Sequence, residues 1–116
     1  MRILIISVLF AFGCQHNMLD VPNEILSKNK FTTVLKDIHL AEAEFEINTR
    51  NGIKNAHDIL NNKYIEIYKK NQVTEKIFKK ALDYYAENPE ILEQIYINIL
   101  GDLKQEKTFI DQQGTN

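Results

Sequence analysis

The fold is decided by residues 71–89, NQVTEKIFKKALDYYAENP. Thr74 stands at an expected helix N-cap, because its hydroxyl can accept a hydrogen bond from the backbone of the first turn. Apolar residues then recur every three or four positions, which is the spacing of one helix face. Asn88 and Pro89 restart a helix, since proline is favoured at the first helical position. These signals predict a helix over 75–87, a short break and a further helix. The apolar stripe consists of Ile77, Phe78, Ala81, Leu82 and Tyr85.

Two more helices are predicted upstream of this stretch. Ser27 is the expected N-cap of a long helix over about 28–48, and a second helix covers about 55–70 after a loop at 48–54. We expect Asn71 to end the second helix in the left-handed conformation. The apolar residues that define these two helices are Phe31, Val34, Leu35, Ile38, Ala41, Phe45, Ala56, Leu60, Tyr64, Ile67 and Tyr68.

Downstream of Pro89, the apolar pattern continues to Leu103, and Gly101 weakens this fourth helix without ending it. No segment shows the period-two alternation of a β-strand. The sequence therefore predicts an all-α fold, a small antiparallel bundle of about four helices over residues 28–105. Residues 106–116 are expected to form a polar, disordered tail.

The amino terminus resembles a bacterial lipoprotein signal. A basic residue precedes the apolar run at 3–12, which ends in Gly13 and then Cys14, the single cysteine of the chain. A helix of that length covers about half of a ~30 Å hydrocarbon core, so it is too short to span a bilayer. The pattern predicts a signal peptide at 1–13, followed by a lipidated Cys14 and a tether at 14–27. The alternatives are a conventional secretory signal and an ordinary buried cysteine in a helix.

A family resemblance covers residues 21–103. The matching positions resemble an uncharacterised lipoprotein family of Bacteroidetes-type bacteria, domain of unknown function 4296. The resemblance implies a helical, lipid-anchored domain in a diderm cell envelope, and it implies no reaction. The residues that carry it are Asp37–Glu42, Tyr64, Tyr68, Asn71–Thr74, Phe78, Ala81–Tyr85, Asn88–Pro89 and Tyr96.

Composition limits the classes of partner. The chain is 44% hydrophobic and 26% charged, as is ordinary for a globular domain, and its net charge is −2. Without a general basic field, we expect no nucleic-acid partner. One cysteine cannot form an internal disulfide, and no sequence motif calls for a cofactor.

Few residues suggest chemistry. Asp37, His39 and Glu42 are the one polar cluster that could begin a small-ligand site. His39, Glu42 and Glu46 could share a helix face as part of a carboxylate metal site, but the Glu-x-x-His order of di-iron bundles is reversed here and occurs once. The alternative is a surface histidine hydrogen-bonded to Glu42 or Asp37. His57 has no nucleophile in its neighbourhood. We therefore expect that the protein is not an enzyme, and that it has no catalytic or metal-binding residues.

Aromatic residues are the better candidates for binding. Tyrosine has a large apolar body and a polar tip, which suits a core and an interface alike. Because Tyr84 and Tyr85 are adjacent, they cannot both face one core, and one of them should lie near the surface. A modest group of lysines at 69–80 is interleaved with these aromatics, and a solvated helix face is its simplest explanation. The expected partner-binding residues are Tyr84, Tyr85, Tyr68 and Phe78.

The function expected from the sequence is binding. We interpret the chain as a periplasmic module that binds or assembles envelope proteins and that is attached to the membrane through lipid on Cys14. The alternatives are a chaperone-like client binder and, less favoured, a small-ligand-binding protein or enzyme. No acidic cluster follows Cys14, where surface-exported lipoproteins of this type tend to carry one. We therefore expect an outer-membrane location facing the periplasm.

Overall fold

Four α-helices and no strand are found in the computed structural model, which describes residues 21–114 except the side chains of 109–111. The predicted all-α bundle is confirmed. None of the helices in the described residues is both long enough and apolar enough to cross a membrane. The helices are α1 (Lys28–Arg50), α2 (Ala56–Lys70), α3 (Glu75–Ala86) and α4 (Pro89–Gln113).

Two predicted N-caps are confirmed. The Ser27 hydroxyl accepts a hydrogen bond from the Lys30 backbone nitrogen at 3.2 Å, at the start of α1. The Thr74 hydroxyl accepts one from the Ile77 backbone nitrogen at 3.1 Å, at the start of α3. Each bond satisfies a backbone donor that the first helical turn leaves without a partner.

The prediction for Asn71 is wrong. Its φ is −91°, and the next residue, Gln72, has the positive φ of 55°. Asn71 is buried, and its side-chain nitrogen donates to the Ile67 carbonyl at 2.8 Å and more weakly to Asp37 at 3.4 Å. Burial of the amide against these acceptors holds Asn71 in the helical region, so the exposed Gln72 makes the left-handed turn.

The helices α1 and α2 form an antiparallel pair. Contacts along the pair run in opposite order: the Phe45 ring lies 4.8 Å from that of His57, and the Asp37 carboxylate meets Asn71 at the other end. The helix α4 instead lies across the amino-terminal half of α1. Lys28 donates to the Gln94 side chain at 3.0 Å there.

The core is centred on Phe31, which is fully buried in α1. Its ring stacks on Phe78 at 5.4 Å and on Tyr85 at 4.5 Å, so two residues of α3 are held against one residue of α1. The Tyr85 hydroxyl donates to the Leu26 carbonyl at 2.7 Å. The remaining residues of the core are Val34, Leu35, Ile38, Ala41, Ile67, Val73, Ala81, Ile95 and Ile99.

The described part of the expected tether belongs to the packed domain. Residues 22–25 form a turn in which the Ile25 nitrogen donates to the Pro22 carbonyl at 2.9 Å. Val21, Ile25 and Leu26 pack against the core. The signal peptide at 1–13 and the proposed lipid site at Cys14 lie outside the described residues.

The carboxyl end also differs from the sequence-based boundary. We expected the helical domain to end at 105, but α4 continues to Gln113. No glycine or proline interrupts residues 102–113, and lysine, glutamine and glutamate there favour a helix. Lys36 of α1 forms an ion pair with Glu106 at 2.6 Å, which links this extension to the bundle.

The Tyr85–Leu26 hydrogen bond gives a stability prediction. We expect Tyr85→Phe to destabilise the fold by about 1–2 kcal/mol, because the ring packing stays while a carbonyl inside the domain loses its donor. The readout is the midpoint of urea unfolding at unchanged m-value. Tyr96→Phe removes a hydroxyl from an exposed tyrosine and should change stability by less than about 0.5 kcal/mol. Equal shifts in the two variants would contradict the assignment.

Candidate functional site

An open groove of about 530 Å³ lies between α2 and α3, with α1 at its base. Side chains from three helices form it, so its shape depends on how α2 and α3 splay from α1. Apolar and aromatic groups dominate the walls, and charged groups stand among them. The lining residues are Ile38, Glu42, Asn61, Tyr64, Ile65, Tyr68, Glu75, Phe78, Lys79 and Leu82.

The α2 wall is aromatic and unusually exposed. Tyr64 and Tyr68 are four residues apart and therefore share one side of the helix. Ile65 lies beside them and is 64% exposed. It is out of phase with the buried residues Ala56 and Ile67, so the fold gives Ile65 no core contact. The wall therefore presents an aliphatic side chain between two partly buried tyrosines.

The α3 wall combines apolar residues with an ion pair. Phe78 and Leu82 are four residues apart, with Phe78 buried at the base and Leu82 half-buried. Lys79 and Glu75 are paired at 2.8 Å, and the hydrogen bond to Glu75 raises the pKa of the Lys79 ammonium. Both side chains are well exposed, so the pair contributes little to stability.

A polar contact joins α1 to α2 in the groove. The Tyr64 hydroxyl donates to Glu42 Oε1 at 3.1 Å. Burial is the larger cause that raises the pKa of Tyr64, and the hydrogen bond to Glu42 adds to it. Burial also raises the pKa of Tyr68, followed by the charge of Glu75. Both tyrosines therefore stay neutral at physiological pH, and both line the groove.

His39 lies beside this contact. Its Nδ1 is 3.8 Å from Glu42 Oε2, and its ring is 5.6 Å from that of Tyr96. Nε2 is shielded from solvent and has no hydrogen-bond partner among the described residues. Asp37 is not part of this cluster, since its carboxylate meets Asn71. No three histidine, cysteine or acidic side chains within residues 21–114 are placed to hold a metal ion.

The structure brings two of the four predicted interface residues together. Tyr68 and Phe78 both line the groove, with ring centroids 6.1 Å apart. Tyr85 is fully buried and cannot contact a partner in the folded domain, whereas its neighbour Tyr84 is half-buried and lies outside the groove. This division matches the expectation that one of the adjacent tyrosines faces the core.

Most residues of the groove were not predicted from the sequence to bind a partner, among them Tyr64, Glu42 and Ile65. Tyr64 was assigned to the apolar stripe of α2, and Glu42 was considered for ligand chemistry alone. The sequence could have indicated Ile65, because an isoleucine outside the apolar stripe of an amphipathic helix has no core contact to make.

A second hollow, of about 640 Å³, lies between the first described residues and the start of α4. Its apolar lining includes Val21, Pro22, Ile25 and Ile91. Val21 is the first described residue, so the groove, whose walls are all described, is the better-defined candidate site.

The fold and groove define a small all-α domain with an open, aromatic-lined groove. A family model matches residues 22–108 of the chain, and its description is domain of unknown function, DUF4296. The chain therefore belongs to the DUF4296 family. Neither the curated proteins nor the solved structures gave a match.

The raised tyrosine pKa values predict alkaline destabilisation. A folded-state pKa of Tyr64 above its ordinary value of 10.0 means that the folded chain keeps a proton that the unfolded chain loses. The resulting stability is complete below pH 10 and is lost as pH rises through the folded-state pKa. We expect Tyr64→Phe to show a smaller fall in unfolding free energy above pH 10 than the unsubstituted chain.

Urea unfolding at a series of pH values measures this difference. Between pH 7 and 9 the two chains should have parallel pH profiles, which serves as the internal control. Parallel profiles above pH 10 as well would show that Tyr64 is not held in its neutral form by the fold.

Proposed function

We propose that this protein is a lipid-anchored module of the cell envelope that acts by binding another protein, and that the partner occupies the groove between α2 and α3. The observation that carries the proposal is the exposure of Ile65 between Tyr64 and Tyr68. An apolar side chain outside the core, set in a concave surface with aromatic neighbours, is a common arrangement at protein interfaces.

The charges of the groove favour a particular kind of partner. Glu42 and Glu75 contribute two carboxylates, and Lys79 contributes one ammonium that is already paired with Glu75. The surplus charge is negative and lies beside the apolar wall. We therefore propose a partner segment that inserts apolar side chains against Ile65 and carries a lysine or arginine toward Glu42.

The anchor is proposed from the sequence. The apolar run that ends in Gly13 and Cys14 supports lipidation of Cys14 after cleavage of residues 1–13. Two or more acyl chains hold a protein stably at a bilayer. We propose that the anchor lies in the outer membrane and that the domain faces the periplasm.

The groove is tested by photo-crosslinking in the native bacterium. A photoreactive residue at position 65 should give one discrete crosslinked product, and peptide mapping should place a basic, apolar segment of an envelope protein on it. The matched control is position 100, because Leu100 is 65% exposed and Ile65 is 64% exposed.

Substitution of Ile65 tests how much this side chain contributes to binding of the partner. We expect Ile65→Lys to reduce the crosslinked product formed from a second groove position, Asn61, by about tenfold or more, since burial of an isoleucine contributes roughly 1.5 kcal/mol or more. Leu100→Lys should leave it unchanged. Equal products at 65 and 100 would refute the groove, and a broad set of unrelated products would favour a chaperone-like role.

The anchor has its own test. Cells fed labelled palmitate should incorporate it into the unsubstituted protein and not into Cys14→Ser, which should leave the membrane fraction because its acyl chains are gone. Ser27→Ala is a control distant from the signal. Label in Cys14→Ser would contradict the lipid site, and removal of the domain by protease added to intact cells would contradict the periplasmic orientation.

A further inference from the structure

The outer side of α4 carries two large aliphatic residues that the fold does not bury. Ile97 is 59% exposed and Leu100 is 65% exposed. Ile95 and Ile99 each stand two positions from Ile97, about 200° away around the helix, and both are buried in the core. The core therefore uses one side of α4 and leaves Ile97 and Leu100 on the other side.

Charged residues flank this aliphatic pair in a regular order. Two exposed glutamates precede it and two exposed lysines follow it, and the spacing is that of a heptad repeat. One series of positions recurs every seven residues, and a second series follows it by three, as in the contact stripe of a coiled coil. We call these residues the outer stripe. They are Glu90, Glu93, Ile97, Leu100, Lys104 and Lys107.

The charges of the outer stripe have no opposite charge close by in the described part of the chain. None of the ion pairs found within residues 21–114 includes a residue of the stripe. Lys28 lines the same hollow as Glu90, but its ammonium donates to Gln94. Residues three apart are neighbours on a helix, so glutamate lies beside glutamate at one end and lysine beside lysine at the other.

We propose that two copies of the chain pair through the outer stripe, with their α4 helices antiparallel. Centred between positions 98 and 99, this arrangement sets Ile97 against Leu100 of the second copy. It also sets Glu93 against Lys104 of the second copy and Glu90 against Lys107 of the second copy. The pairing is two-fold symmetric, so each of these contacts occurs twice.

Charge selects this occupant and this direction. In a parallel pair, glutamates would face glutamates and lysines would face lysines, and like charges at an interface are strongly disfavoured. Reversal of one copy turns every such contact into an attractive one, because the acidic end of one stripe meets the basic end of the other. The stripe is therefore complementary to itself in the antiparallel direction alone.

The geometry of α4 allows the contact. Residues 90–107 span about 26 Å of helix, and the core lies on the opposite side. Position 111, the next in the repeat, would lie beyond Pro89 of the second copy, where α4 begins. The groove is lined by residues of α1, α2 and α3, so pairing through α4 leaves those residues unused.

Photo-crosslinking in the native bacterium tests the centre of the contact. A photoreactive residue at position 97 should give a product of twice the mass of the chain, and peptide mapping should place the link near residue 100 of the second copy. Position 102 is the matched control, because Asp102 is exposed on the side of α4 away from the stripe. Equal yields of this product from the two positions, or no product from position 97, would overturn the pairing.

Charge exchange tests the direction of the pairing. Glu93→Lys opposes two lysines at both equivalent contacts, so the product from position 97 should fall about tenfold or more. Lys104→Glu should have the same effect, because it opposes two glutamates. The chain that carries both substitutions again opposes unlike charges and should recover the product. Such recovery would exclude misfolding as the cause of the losses, since the double variant contains both changes.

Glu46→Lys is the charge-matched control, because Glu46 is exposed on α1 and lies outside the outer stripe. It should leave the product unchanged. A double variant that yields no more product than the single variants would overturn the antiparallel pairing, and so would full yield from both single variants. The groove is assessed separately: a link from position 100 should reach a second copy, whereas a link from position 65 should reach a different protein with a different mass.

Discussion

Phe31 stacks on two residues of α3, and the remaining architecture depends on this contact. Phe78 and Tyr85 lie seven residues, or about two turns, apart on the same side of α3, so stacking on a single ring of α1 constrains both the position and the rotation of that helix. The Tyr85 hydroxyl then fixes Leu26 and, through it, the segment before α1. Because α3 is held by one face, its other sides remain available, one to the groove and one to solvent.

The helices could be predicted because their signals are local. Thr74 and Ser27 cap helices in the structure as their residue types predict. The hydrogen bond of an N-cap joins a side-chain oxygen to the backbone of the next helical turn, so both partners are close in sequence. Asn71 shows the limit of such reasoning. Its residue type permits a left-handed turn, but the buried amide has an acceptor at Ile67 and another on the neighbouring helix at Asp37, and the second contact is not visible from local sequence.

The groove was less predictable, because it depends on the spacing between helices. Tyr68 and Phe78 were singled out as aromatic residues, and the structure places them together. Tyr85 was grouped with them on residue type, although the stacking on Phe31 takes it into the core. Periodicity identifies which side of a helix is apolar, but it does not show where the apolar sides of two neighbouring helices separate and leave a groove between them. Ile65 was the exception, since its position off the stripe is a property of α2 alone.

The arrangement of α3 keeps the groove apart from the segment that precedes α1. Lys79 faces the groove, whereas Lys80, the next residue, contacts Glu24 in that segment. Successive residues of a helix are about 100° apart, so the groove opens on a different side of α3 from the segment that leads to the proposed anchor. A partner in the groove and an anchored amino terminus would therefore not compete for the same surface, and the stacking of Phe31 on α3 would keep the two directions fixed relative to each other.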